Sequence, residues 1–150
     1  MPRISTVSLP QVLKFFCLLL LCTFAITATP AWAIDSSFQE QANPLIEEIR
    51  SLQTEGENMD SLRFDSDRLA MCGDTMRRFQ PQADSLRERA DALEVNKSEP
   101  DSFQASMAKN YLSTAAANLH LCVSCLRSAT DSCNQVNSSV QTAMNILQGE

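Results

Sequence analysis

The chain has 150 residues, with 12 Lys+Arg against 18 Asp+Glu, six cysteines, three glycines and one histidine. This acidic balance argues against nucleic acid or anionic lipid as a partner, because both are bound chiefly through Lys and Arg. One histidine and few glycines leave little from which to build a Ser–His–Asp set or a phosphate loop, and no paired carboxylates are discernible; no catalytic residues and no cofactor are therefore assigned.

Residues 1–33 read as a cleavable signal peptide rather than as part of the fold. Arg3 and Lys14 make a basic start, residues 15–27 form an apolar run, and Ala31-Trp32-Ala33 has the small-x-small pattern of a cleavage site. The apolar run is shorter than the roughly 18–20 residues that span a bilayer, which disfavours a retained anchor. Cys22 invites a lipoprotein reading, but bulky Leu21 precedes it where lipoprotein processing needs a small residue. Export is expected, to a periplasm, a thylakoid lumen or the extracellular space, with no membrane association after cleavage. Arg3 and Lys14 are the leader's only charged side chains, so residues 34–150 keep 10 basic and 18 acidic groups, a net charge of −8. That length suits one small domain.

Beyond residue 33 the apolar residues recur at three- and four-residue steps, and no stretch alternates with period 2. The pattern predicts an all-α fold: an up-and-down three- or four-helix bundle with a long helical hairpin and a shorter helix or helices. In the first helix Phe38, Ala42, Leu45, Ile49 and Leu52 form the inner stripe. Asp35 or Ser36 serves as N-cap, although a later start at Asn43-Pro44 also fits. Residues 54–58, "TEGEN", read as the turn that ends it. A second helix is expected over 59–95 with the stripe Leu62, Leu69, Cys72, Met76, Phe79, Ala83, Leu86, Ala90 and Leu93, kinked or divided near Gln80 by Pro81. Residues 96–101 form the next turn. From 102 to 148 there is neither glycine nor proline, and Ala108, Leu112, Ala115, Leu119, Cys122, Leu126, Ala129, Cys133, Val136, Val140, Ala143 and Leu147 make a coiled-coil-like seam. Seam continuity argues for one long helix. The Ser, Thr, Asp and Asn content around 128–139 argues for a break near 128–131, with Asp131 or Ser132 as cap.

Four cysteines follow the leader: Cys72, Cys122, Cys125 and Cys133. An even number in an exported domain reads first as a disulfide framework. Folding about a turn near residues 98 and 99 sets Cys72 level with Cys125, with Cys122 one turn away. Because Cys72 and Cys122 both lie on apolar seams, the expected set is Cys72–Cys122 with Cys125–Cys133. The second bond requires a helix break near Ala129, since eight residues of continuous helix separate the ends by roughly 12 Å.

Two further chemistries use the same residues. Cys72, Cys122 and Cys125, with Cys133, offer soft thiolate ligands for copper or zinc, and Met71, Met76 and Met107 add thioethers that favour Cu(I). The pair in Cys122-Val123-Ser124-Cys125 has the spacing of a thiol–disulfide redox motif, but no βαβ pattern surrounds it. Covalent haem requires Cys-x-x-Cys-His, and Leu126 stands where the histidine must be. His120 reads as a surface or satisfied core residue, the methionines as core filler, and the 74–91 charges as a solvated helix face. Asn96 and Asn137 head glycosylation sequons that matter only in a glycosylating host. The expected function is therefore that of an exported, non-enzymatic binding or interaction module for a protein or small ligand. Metal binding and thiol redox activity are the alternatives.

Overall fold

The computed structural model describes residues 34–149. The leader, including Ala31 and Ala33 of the expected cleavage site, lies outside the described residues. All regular structure among the described residues is helical, and no helix there is long and apolar enough to cross a membrane.

Helix α1 spans Ser36–Asn58. The Asp35 carboxylate caps it, accepting from the Ser37 amide at 3.1 Å and the Ser37 hydroxyl at 2.6 Å. Those two bonds hold the Asp35 carboxyl below the usual aspartate range. The predicted stripe Phe38, Ala42, Leu45, Ile49 and Leu52 is buried throughout. Residues 54–58, expected as the turn that ends this helix, instead form its last helical residues, and the chain leaves the helix at Met59. Gly56 lies buried in its last turn, because a neighbouring helix needs the space a side chain would fill.

The expected 59–95 helix is broken at its front. A four-residue turn of helix, α2 (Asp60–Arg63), is followed by a 3₁₀ turn at Ser66–Arg68, and α3 (Leu69–Ala92) begins only there. Asp65 explains the interruption: its side chain accepts from the Asp67 amide at 3.0 Å, a local bond that competes with helix continuation. Pro81 does not divide α3. Its ring lies on the exposed face, as does Arg77 one turn earlier, so the carbonyl deprived of a donor sits on the water-facing side.

Residues 102–148 form two helices, α4 (Ser102–Cys122) and α5 (Ala129–Gln148). The connection occupies residues 123–128, earlier than the break expected near 128–131, and Ser128 rather than Asp131 or Ser132 takes the N-cap position of α5. Gly149, at φ 75°, ends α5 in the left-handed conformation that glycine adopts without strain.

The long helices share one core. Helix α4 touches α1, α3 and α5, most extensively α5. Its buried face is rich in small residues, Ala105, Ala108, Ala115 and Ala116, which let neighbouring backbones approach closely. Polar ties fasten the ends: the Asp35 amide donates to the buried Asp101 carboxylate at 2.6 Å, and Lys109 Nζ donates to the Leu93 carbonyl at 2.8 Å, beyond the end of α3. Every member of the 102–148 seam is buried except Leu126, and in the 59–95 stripe Leu69 is likewise open.

Candidate functional site: the cysteine-braced end

At one end of the molecule the last turns of α1 and α4 meet α2, the start of α3 and the 123–128 connection. Helix C-termini leave carbonyls without amide donors. Here Arg63 supplies them. Its Nε donates to the Ser124 carbonyl at 2.8 Å, and one terminal nitrogen donates to the carbonyls of Gly56, at 2.7 Å, and Cys122. The other terminal nitrogen pairs with the Asp60 carboxylate, which also accepts from the Thr130 hydroxyl at 3.0 Å. The Arg63 side chain is fully buried. A buried guanidinium is tolerated because it is paired with a carboxylate and faces the negative ends of two helix dipoles. Lysine lacks this rigid fork of donors and could not reach carbonyls on three segments together.

The cysteines lie in the same region, but not paired as expected. Cys72 bonds to Cys125 (Cα–Cα 5.9 Å) and Cys122 to Cys133 (4.7 Å), replacing the expected Cys72–Cys122 and Cys125–Cys133. Cys72 lies level with Cys125, as the hairpin register predicts, but a shared place on the apolar seams does not join Cys72 to Cys122. Helix α4 ends at Cys122, so Cys125 leaves the helix and turns toward α3. Cys122 instead faces the α1 backbone and α5. A β-carbon added at Gly56 would lie 2.5 Å from Cys122 Sγ and 3.0 Å from its carbonyl oxygen, so α1 seals that sulfur from one side.

Each half of the Cys122/Cys125 motif is thus bonded elsewhere, and all four candidate metal thiolates are engaged in sulfur–sulfur bonds. Among the described residues, no group of three or more His, Cys, Asp and Glu side chains converges as a metal site. His120 is 44% exposed at its side chain and reaches α3, with Nδ1 3.2 Å from Asp84 and Nε2 3.5 Å from Gln80. Met71 is exposed, while Met76 packs at the core margin.

Exposed apolar side chains adjoin the Cys72–Cys125 bond along the chain. Leu69 (52% exposed) lies one helical turn before Cys72, Met71 (57%) immediately before it, and Leu126 (55%) immediately after Cys125. With neighbouring Cα atoms 3.8 Å apart, the 5.9 Å bridge keeps the Met71 and Leu126 Cα atoms within roughly 14 Å. Phe64, 60% exposed, lies just beyond α2. Charged pairs occur in the same segments, Asp65 with Arg68 at 3.4 Å and Asp74 with Arg77. Sequence reading missed Arg63, Asp60, Thr130 and Gly56. The only available signal was a glycine and an arginine seven residues apart, which pattern alone does not mark.

A separate groove of about 530 Å³ runs between α1 and α3, past Leu52, Phe79 and Pro81. Arg89 holds Glu48 across its mouth, and the hydrogen-bonded guanidinium keeps the Glu48 carboxyl below its ordinary range. No protein-family model, no curated protein and no solved structure matches the chain.

Proposed function

We propose that the protein is an exported, non-enzymatic interaction module: an up-and-down helical bundle, cross-braced by two disulfides, that takes a protein partner on the apolar face beside Cys72–Cys125. One observation carries this reading. The two seam leucines that escape burial, Leu69 and Leu126, flank the same disulfide, with Met71 between Leu69 and the bond. An apolar seam would ordinarily be closed by the protein's own packing, and its selective opening at a covalently braced place supports a surface kept for another molecule. Rigidity serves such a surface, because a preformed face loses less conformational entropy on binding.

The test has two parts. Protein recovered from the exported fraction is alkylated before and after reduction and weighed intact. The expected result is an N-terminus at Ile34 and no label before reduction. Four labelled thiols holding stoichiometric copper or zinc would overturn the reading in favour of a metal protein. Partner capture is then compared between the wild type and a Leu69→Asp/Leu126→Asp variant whose helical circular dichroism is unchanged. Loss of a reproducible partner supports the assigned face, and undiminished capture sinks it.

A further inference from the structure

The two disulfides are not equally reachable. Cys122 and Cys133 are 0% and 1% exposed, and the α1 backbone at Gly56 lies against Cys122 Sγ. Cys72 is 0% exposed, but its partner Cys125 is half-buried on the 123–128 connection, beside the exposed Leu126. Thiol–disulfide exchange requires a thiolate to approach a disulfide sulfur, so access decides which bond reacts first.

We propose that Cys72–Cys125 is a reducible latch on the apolar face: a small dithiol opens it before Cys122–Cys133, and opening lets Leu69 and Met71 part from Leu126 while the bundle stays folded. This deepens the function proposed above, since it regulates the same face. The reductant's thiolate attacks Cys125 Sγ, forming a mixed disulfide and expelling the Cys72 thiolate, which takes up a proton. Its second thiolate then attacks its own sulfur in the mixed disulfide, releasing Cys125 and closing the reductant into a cyclic disulfide. Two electrons and two protons pass from the dithiol to Cys72 and Cys125.

What remains in place after opening follows from the clamp. Arg63 still holds the carbonyls of Gly56, Cys122 and Ser124, and Asp60 still bonds Thr130. Cys122–Cys133 still ties α4 to α5. The freed segments are therefore the first turn of α3 with the 3₁₀ turn before it, and the connection from Cys125 onward. Internal exchange, in which the released Cys125 attacks Cys122 three residues away, is opposed by the α1 backbone covering that sulfur.

The experiment uses the full processed protein, treated with graded dithiothreitol at about pH 8, where thiolate is plentiful, then quenched by alkylation and mapped by peptide mass. The expected result is an intermediate labelled at Cys72 and Cys125 alone, with unchanged far-ultraviolet circular dichroism. Faster hydrogen exchange over residues 66–72 and 125–127 is expected in that intermediate and in a Cys72→Ser/Cys125→Ser variant. First labelling at Cys122 and Cys133, simultaneous opening of both bonds, labels at Cys72 and Cys133, or unchanged exchange would each overturn the latch. Ordered opening with partner capture indifferent to Leu69→Asp/Leu126→Asp removes the binding role alone. Four labels before any reductant remove both.

Discussion

Arg63 and Gly56 show how single residues govern this end of the molecule. Replacing Arg63 by methionine keeps much of the apolar stem but leaves the carbonyls of Gly56, Cys122 and Ser124 without their donor. The loss is about 1–3 kcal/mol for each that stays unsatisfied, while the partly exposed Asp60 carboxylate is re-solvated at little cost. Arg63→Lys should recover only a minor part, and urea denaturation of both variants checks the order. Gly56 and Gly73 make a paired test. Alanine is ordinarily better than glycine within a helix by about 0.5–1 kcal/mol. At Gly73 nothing lies within 4 Å of an added β-carbon, so Gly73→Ala should stabilise by that amount. At Gly56 the same carbon meets Cys122, and an overpacking penalty of about 1–3 kcal/mol should reverse the sign. Equal midpoint shifts for the two variants would refute the close approach of α1 to Cys122. Neither residue was legible beforehand, because a buried cation and a crowded glycine are defined by what another helix brings to them.

The helices themselves were more readable than their ends. The stripes in α1 and α5 follow helical periodicity and are buried as expected, since that period places those residues on one face. The boundaries went wrong where local and tertiary demands competed. At residues 54–58 turn-like composition yielded to packing, and at 59–68 an expected helix yielded to the Asp65 side chain. Between α1 and α3 the Glu48–Arg89 pair gives a pH prediction. Because the folded-state pKa of Glu48 is depressed, its contribution is fully present above the unfolded carboxylate range and is lost as the pH falls through the folded value. Both side chains are about half exposed, so the contribution is at most about 1 kcal/mol and weakens in salt. Glu48→Gln should therefore be slightly less stable than wild type at neutral pH and indistinguishable from it in acid. A difference that persists or grows in acid would contradict this assignment.

For the molecule as a whole, the covalent braces close very different spans of chain. Cys72–Cys125 encloses a separation of 53 residues and Cys122–Cys133 one of 11. On the chain-entropy account these contribute about 4 and about 3 kcal/mol, each large beside a domain total of about 5–15 kcal/mol. Thermal unfolding of the two paired Cys→Ala variants should therefore show the larger loss for Cys72/Cys125. The latch proposed at that bond is compatible with this, because the order of opening is a matter of access and rate rather than of loop entropy. A larger loss for Cys122/Cys133 would point to packing around Gly56 as the dominant contribution.

Sequence alone was sufficient for the helical class, the inner faces and the four cysteines as the candidate cross-links, because periodicity and residue chemistry are properties of the chain itself. The partner of each cysteine, the site of the break after Cys122, the buried Arg63 and the open positions of Leu69 and Leu126 were decided only in three dimensions. Those features arise where separate helix ends compete for the same space and the same hydrogen bonds, a competition that no single stretch of residues contains.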